Sequence, residues 1–146
     1  MRLLAIMILA ASLVACSRKR QETTTTTQQQ TTSTTSTDSL LNREWTLVTV
    51  NGQPVTLEKA PSLKLETEGN RASGFAGCNR FSGAFVVSGD SLHFEPLAMT
   101  RMACEKGMDV ENAFANALQG TRSYRVANGS LDLFGETGVV AHLEAR

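Results

Sequence analysis

The chain has 146 residues, with 14 basic and 14 acidic side chains and a formal net charge of zero. This length allows one ordinary domain rather than two. The balanced charge argues against a protein that coats nucleic acid, because such proteins carry a clustered basic surplus. Hydrophobic residues make up 41% of the chain, which is enough for a globular core. Three stretches of unlike composition follow one another along the sequence.

Residues 1–15 are mainly apolar and begin with one basic residue, Arg2. A helix over residues 3–15 would rise about 20 Å, which is short against the roughly 30 Å of bilayer hydrocarbon and typical of a secretory signal peptide. Residues 13–16, Leu-Val-Ala-Cys, resemble the lipobox of bacterial lipoproteins. This resemblance implies that the signal peptide is cut before Cys16 and that lipid on Cys16 anchors the protein to a membrane. A plain signal peptide with an incidental cysteine is the alternative.

Residues 16–39 form the second stretch. After a basic cluster at residues 18–20 it consists mostly of Thr, Gln and Ser. No side chain after Cys16 can face an apolar core, so burial cannot offset the entropy of ordering this stretch. We therefore predict a disordered tether between the lipid on Cys16 and a domain over residues 40–146. The basic cluster either contacts anionic headgroups beside the lipid or stays solvated.

Strand signals dominate the domain, because apolar and polar side chains alternate between turn residues. In chain order the predicted strands are residues 44–50, a short return at 54–55, 63–65, 71–77, 83–88, 92–94, 124–127, 131–134 and 139–143. In the first strand we expect Trp45, Leu47 and Thr49 to share one face. Asn51-Gly52 then gives the strongest short turn signal. Short strands at roughly ten-residue spacing favour an antiparallel sheet that curls on itself.

One segment has helical periodicity. Between Gly107 and Gly120 apolar residues recur at spacings of three and four. Asp109 and Glu111 lie in the early turns, where carboxylates suit the positive end of the helix dipole. Gly120 can take the left-handed conformation that ends a helix. The predicted fold class is therefore α+β, a curled antiparallel, barrel-like β-sheet with one amphipathic helix that closes one face or end of it.

The domain contains two cysteines, Cys78 and Cys104. In an exported protein an even pair indicates a disulfide, and the chain-entropy model gives roughly 3.5 kcal/mol for a loop of this length. Two free buried thiols and a catalytic thiol are the alternatives. A nucleophilic cysteine needs a base, but neither His93 nor His142 lies in a recognisable nucleophile motif. These four residues match no zinc-ligand spacing, so we expect no metal site and no cofactor.

The segment over residues 73–83 is dense in glycine and predicts a strand, a tight turn and a return strand. Gly77 and Gly83 permit conformations or close approaches that other side chains would block. Asn79 can bond neighbouring backbone groups in the turn. No Lys-Ser or Lys-Thr pair follows the glycines, so this segment is not a phosphate-binding loop.

Two motifs around these cysteines resemble those of the META domain, the HslJ family. The first is Gly-Cys-Asn-Arg-Phe at residues 77–81, followed by Gly83, and the second is Met-Thr-Arg-Met-Ala-Cys at residues 99–104. Trp45 and the helix with Glu111 also fit the pattern. The motif positions are Gly77, Cys78, Asn79, Arg80, Gly83, Thr100, Arg101 and Cys104. The resemblance covers residues 40–146 and implies a stress-associated family, common in bacterial envelope lipoproteins, with no established catalytic activity.

We therefore expect a non-enzymatic, lipid-anchored envelope protein, in the outer membrane of a Gram-negative host, whose domain is a binding or stress-response module. Its partners would be the membrane, through the lipid, and an envelope protein or small ligand rather than nucleic acid. Arg80 and Arg101 form either an exposed recognition patch or ordinary ion pairs within the fold. One alternative is a hydrolase that uses Cys78 or Cys104. Another is a carrier of a small apolar ligand, with the cavity lined by Phe75, Phe81, Phe85, Phe94 and Phe134.

Overall fold

The computed structural model describes residues 37–146. The predicted signal peptide, Cys16 and the predicted tether up to residue 36 lie outside the described residues. The described part begins with one helical turn, α1 (Thr37–Leu40), so helical structure starts three residues before the predicted start of the domain. The cause is Leu40, which is fully buried and whose carbonyl accepts a hydrogen bond from the Trp45 indole at 3.0 Å. Across residues 37–146 no helix has the length and apolar character needed to span a bilayer.

Ten strands and a second helix follow α1. The strands are β1 (Glu44–Val50), β2 (Gln53–Pro54), β3 (Ser62–Glu66), β4 (Arg71–Phe75), β5 (Arg80–Ser88), β6 (Ser91–Phe94), β7 (Ala98–Met99), β8 (Ser123–Ala127), β9 (Ser130–Gly135) and β10 (Gly138–Ala145). The helix α2 spans Met108–Gly120, and a 3-10 turn lies at Glu68–Asn70. The predicted class, a curled antiparallel sheet with one amphipathic helix, is confirmed.

Eight of these strands close into an antiparallel barrel. Around the ring their order is β10, β9, β8, β6, β5, β4, β3 and β1, and β1 pairs back with β10. The short strands β2 and β7 lie outside this ring and pair with β1 and β5. Strands β6 and β8 meet at one residue pair, Ser91 and Ser123, which makes this the shortest seam of the ring. Closure matters because it removes the open sheet edges that would otherwise pair with other chains.

Large apolar side chains fill the inside of the barrel. The most completely buried are Trp45, Phe85, Phe114, Leu40, Leu47, Leu63, Leu65, Leu92, Leu118, Leu131, Leu133 and Leu143. The expected alternation along β1 fails at its end, because a register shift follows Leu47. Val50 is therefore buried, whereas Thr49 is only partly buried. The helix α2 packs its own buried residues, including Phe114, into the same core.

Two of the phenylalanines expected inside the barrel lie elsewhere. Phe75 and Phe134 are only partly buried, and each carries a cation over its ring. The Lys59 ammonium lies 4.4 Å from the Phe75 centroid, and the Arg125 guanidinium carbon lies 5.3 Å from that of Phe134. The prediction that both rings line an internal cavity is wrong, because the alternation of their strands turns them outward. Phe114, from the helix, occupies the core instead.

Candidate functional site

One buried carboxylate, that of Glu111 in α2, joins the helix to the first cysteine motif. Glu111 is 4% exposed. Its Oε2 accepts hydrogen bonds from the backbone N–H groups of Cys78, at 3.2 Å, and of Asn79. Its Oε1 accepts one from the Asn79 side-chain amide at 2.9 Å. Three donors therefore satisfy a carboxylate whose burial alone would be costly.

The position of Glu111 in the first turn predicts an interaction with the helix dipole, but in the structure its carboxylate is a buried acceptor. A signal for that role was present. Glu111 lies three residues before Phe114, so both fall on the stripe of the helix that faces the core. A carboxylate on a buried stripe needs donors, and donors must come from a neighbouring segment.

Asn79, which is 2% exposed, connects the two cysteine motifs. Its Oδ1 accepts hydrogen bonds from the Thr100 hydroxyl at 2.9 Å and from the Met102 N–H at 2.7 Å. Its Nδ2 donates to the Met102 carbonyl at 3.1 Å. A backbone N–H can only donate and a carbonyl can only accept, so Met102 fixes which way the Asn79 amide points.

The same network continues from Thr100 to Arg80. The Thr100 hydroxyl accepts a hydrogen bond from the Arg80 N–H at 3.1 Å, and the Thr100 N–H donates to the Arg80 carbonyl at 3.0 Å. A continuous series of hydrogen bonds thus runs from Glu111 through Asn79 and Thr100 to the backbone of Arg80. The exposed Thr100 thus links the buried Glu111 and Asn79 to the backbone of the exposed Arg80.

A disulfide joins Cys78 to Cys104, with the two Cα atoms 5.9 Å apart. It ties together the same two segments that Asn79 joins by hydrogen bonds. A disulfide sulfur is not a thiolate, so in this state neither cysteine is the nucleophile that a hydrolase would need. Within residues 37–146 no group of three or more His, Cys, Asp or Glu side chains is placed to hold a metal ion.

Gly77 and Gly107 allow the first motif to lie directly against the start of α2. Their φ angles are 128° and 92°. A Cβ on Gly107 would lie 2.5 Å from the Gly77 carbonyl oxygen, and a Cβ on Gly77 would lie 2.9 Å from that of Gly107. No larger residue fits on either side of this contact without movement. The residues held together here, which we call the motif knot, are Gly77, Cys78, Asn79, Thr100, Cys104, Gly107 and Glu111.

Beside the motif knot an open groove of about 640 Å³ crosses the outer face of the barrel. Small side chains from neighbouring strands line much of it, and larger ones border them. The lining residues are Glu44, Ser62, Lys64, Ser73, Gly74, Arg80, Phe81, Ser82, Ala98, Met99 and Thr100. The sheet register places Lys64, Ser73, Ser82 and Ala98 side by side on β3, β4, β5 and β7.

Three of the lining residues are charged, and two of them are engaged in ion pairs. The Lys64 ammonium lies 2.9 Å from Glu66. Hydrogen bonds from Lys64 and Arg71 lower the pKa of Glu66. The Glu44 carboxylate lies 3.7 Å from the Arg146 guanidinium.

Arg80 differs from the other two charged lining residues. It is exposed and makes no ion pair with any residue from 37 to 146. Arg101 is likewise exposed and unpaired among these residues, but it does not line the groove. Gly83 also lies outside the lining, where a Cβ would approach the Leu97 side chain to 2.7 Å. Of the two alternatives expected for these arginines, ion pairs within the fold are absent among residues 37–146, and only Arg80 lines the groove.

The two histidines lie in other surroundings. His93 is within 3.2 Å of the Ser91 hydroxyl, and the His142 Nδ1 is 2.7 Å from the Asp132 carboxylate. Arg125 adds a second ion pair to Asp132 at 3.0 Å. Burial raises the pKa of Asp132, but the hydrogen bonds from His142 and Arg125 lower it by more than burial raises it. The pKa of Asp132 therefore lies below its usual range.

The comparisons with known proteins identify the family. The family model of the META domain matches residues 38–146, three quarters of the chain. The chain belongs to the META domain family. The predicted resemblance to META domains is therefore confirmed. This META-domain protein is 37% identical over 93 residues to heat shock protein HslJ of Escherichia coli (strain K12), a match that covers 64% of this chain and 61% of HslJ. The match thus spans about three fifths of the length of this relative.

Two solved structures share the fold of this chain. An NMR structure of a protein from Burkholderia xenovorans is 27% identical with a TM-score of 0.62, covering 75% of this chain and 86% of that one. A second NMR structure is also 27% identical, with a TM-score of 0.61, and covers 75% of this chain and 93% of that one.

Proposed function

We propose that this protein is a non-enzymatic, lipid-anchored envelope protein whose META domain is a binding module of the stress response. The observation that carries the binding role is the groove, where Arg80 is held in place by the motif knot and has no ion pair among the described residues. Membership of the META family and the identity to HslJ support a stress-related role. The anchor rests on the sequence at residues 13–16, because Cys16 lies outside the described residues.

The hydrogen bonding within the motif knot favours binding over catalysis. The Glu111 carboxylate, the Asn79 amide and the Thr100 hydroxyl all bond to one another or to backbone groups. A general acid or base must instead reach a substrate proton within hydrogen-bond distance. Groups saturated in this way stabilise a surface rather than transfer protons.

The position of Arg80 suits recognition on that surface. Its N–H and its carbonyl are both bonded to Thr100, at 3.1 Å and 3.0 Å. A side chain on a fixed backbone loses less freedom on binding than one on a mobile loop, so more of the interaction appears as affinity. The inside of the barrel is occupied by core side chains, so the outer groove is the favoured place for a ligand.

Complementation of a deletion strain under heat or envelope stress tests the binding role. We expect the wild type to restore survival and Arg80→Ala to fail at equal protein level. Arg101→Ala is the matched control, because it removes an exposed arginine that does not line the groove. If Arg80→Ala restores survival as well as the wild type, the groove is not the functional surface.

Labelling of cells with an alkyne-tagged fatty acid tests the anchor. The wild-type protein should carry the label and partition into the detergent phase of a Triton X-114 extract. Cys16→Ser should lose the label and remain uncleaved. A wild-type protein without label, cleaved at the same place, would show a plain signal peptide instead.

A further inference from the structure

We infer that the groove binds an extended peptide through one carboxylate, and that Arg80 is the residue that anchors this carboxylate. The inference rests on the proposed function, because it names the ligand class of the same groove. Three features support it, namely the distribution of charge along the groove, the chemistry of its lining and its dimensions.

The charges of the groove favour a ligand with a single anionic group. Lys64 and Glu44 are already paired with Glu66 and Arg146, whereas Arg80 has no acidic partner among the described residues. A guanidinium offers two parallel N–H donors that match the two oxygens of a carboxylate. One unpaired arginine therefore selects one carboxylate.

The charge pattern also gives the bound peptide a direction. Glu44 lies on β1 at one end of the groove, and Arg80 lies on β5 near the other. A second anion on the ligand would find no free cation at the Glu44 end, because Arg146 and Lys64 are already paired with Glu44 and Glu66. The pattern favours a peptide whose carboxylate lies at one end, as it does at a C-terminus.

The surroundings of Arg80 suit a peptide main chain. Arg80 pairs across the strands with Phe75, and the neighbouring Ser73 pairs with Ser82. The hydroxyls of Ser73 and Ser82 make no hydrogen bond to another described residue. Each hydroxyl can donate one hydrogen bond and accept others, so these two can serve both the N–H and the C=O groups of a ligand.

The dimensions agree with a short extended segment. From β1 to β7 the lining crosses four strand spacings, about 19 Å along the curved sheet and less in a straight line, so an extended peptide of at most about six residues spans it. Its volume of about 640 Å³ lies within the usual range for ligand pockets, roughly 300–1,000 Å³.

A two-dimensional ¹H–¹⁵N NMR titration tests this inference, because it detects weak binding and locates it. The protein is the fragment of residues 32–146, a single compact unit that contains the closed barrel, α2 and every buried core residue of the described structure, so we expect it to fold on its own. The probes are the peptide Gly-Ser-Ala-Gly-Ser-Ala with a free C-terminal carboxylate, the same peptide with a C-terminal amide, and inorganic phosphate.

We expect the carboxylate peptide to shift the amide signals of Ser73, Arg80 and Ser82, and to bind about tenfold more tightly than the amide peptide. Arg80→Ala should reduce its affinity to that of the amide form. Arg80→Lys should give an intermediate affinity, because lysine keeps the positive charge but lacks the two parallel N–H donors of a guanidinium. The control Arg101→Ala should stay within about twofold of the wild type, since it leaves the groove unchanged.

Equal binding of the acid and amide peptides, or shifts confined to other strands, would overturn the inference. Phosphate shifts equal to those of the carboxylate peptide would also overturn it, because the anion alone would then suffice. These outcomes differ from a failure of the proposed function. If the protein binds the acid and amide peptides equally but Arg80→Ala fails to complement the deletion strain, only the ligand class is wrong. If Arg80→Ala complements fully, the proposed function is wrong.

Discussion

The substitution Glu111→Gln tests whether the motif knot depends on a carboxylate that only accepts hydrogen bonds. Glutamine has nearly the same shape, so the change leaves packing intact and alters only the hydrogen bonds. If its oxygen takes the place of Oε2, the bonds from the Cys78 and Asn79 N–H groups remain. Its NH₂ group then faces the NH₂ group of Asn79, where the carboxylate had accepted a bond at 2.9 Å.

Rotation of the Asn79 amide does not relieve this conflict. In the rotated form its NH₂ group would face the Met102 N–H, which now donates to Oδ1 at 2.7 Å. One mismatched pair of buried donors therefore remains in every arrangement, at a cost of about 1–3 kcal/mol. The remaining bonds also lose the strength that a charged acceptor gives them. We expect a total loss of about 3 kcal/mol in unfolding free energy, or a fall in Tm of roughly 10 °C for a domain of this size.

Urea unfolding of fragment 32–146, followed by tryptophan fluorescence, measures this loss. The matched control is Asp109→Asn, which removes the same charge from the same helical turn at an exposed position. It should cost no more than about 1 kcal/mol, the usual size of a helix-dipole interaction. If the two variants unfold within about 0.5 kcal/mol of each other, the argument from hydrogen-bond polarity is refuted, because such a mismatch is worth more than that.

Three further predictions concern the other features of the domain. Gly107→Ala should lower the unfolding free energy, measured in urea, by at least about 2 kcal/mol more than Gly129→Ala. Both glycines have positive φ, but only Gly107 has a backbone atom within 2.5 Å of the new Cβ. Equal losses would show that the contact relaxes. Cys78→Ser with Cys104→Ser should cost about 3 kcal/mol yet leave the far-UV circular dichroism spectrum unchanged, and an unfolded double variant would contradict this. The lowered pKa of Asp132 stabilises the fold above its unfolded-state pKa of about 3.8, and this contribution is lost as the pH falls through the folded-state pKa. In Asp132→Asn the urea midpoint of unfolding should therefore fall less steeply with decreasing pH than in the wild type. An equally steep fall in both proteins would argue against a stabilising role of the ion pairs to Asp132.

Local signals were enough to predict most of the secondary structure. The pair Asn51-Gly52 takes positive φ at both residues, as its predicted turn requires. The first strand was predicted with its observed bounds, and the helix was predicted within one residue of its observed start. These features depend on side-chain periodicity and backbone preference over a few residues, which a sequence displays directly.

Features that depend on distant contacts were harder to predict. The bulge in β1 arises from pairing with β10, so the inward position of Val50 is invisible in the local alternation. The motif positions were found through a family resemblance, but their roles required the carboxylate of Glu111, which lies 32 residues beyond Asn79. The groove combines side chains from five strands, so no single segment of the sequence predicts it.

The position of β10 in the ring determines when the barrel can form during synthesis. This last strand pairs with β9 on one side and with β1 on the other. Until Gly138–Ala145 has emerged from the ribosome, β1 has no neighbour on that side and the ring stays open. The nascent domain therefore exposes an unpaired β edge until β10 is available. Pairing between strands so far apart in the sequence is also slow, which prolongs this exposure. The ring therefore closes only after β10 has emerged, and the strands whose edges need protection until then are β1 and β9.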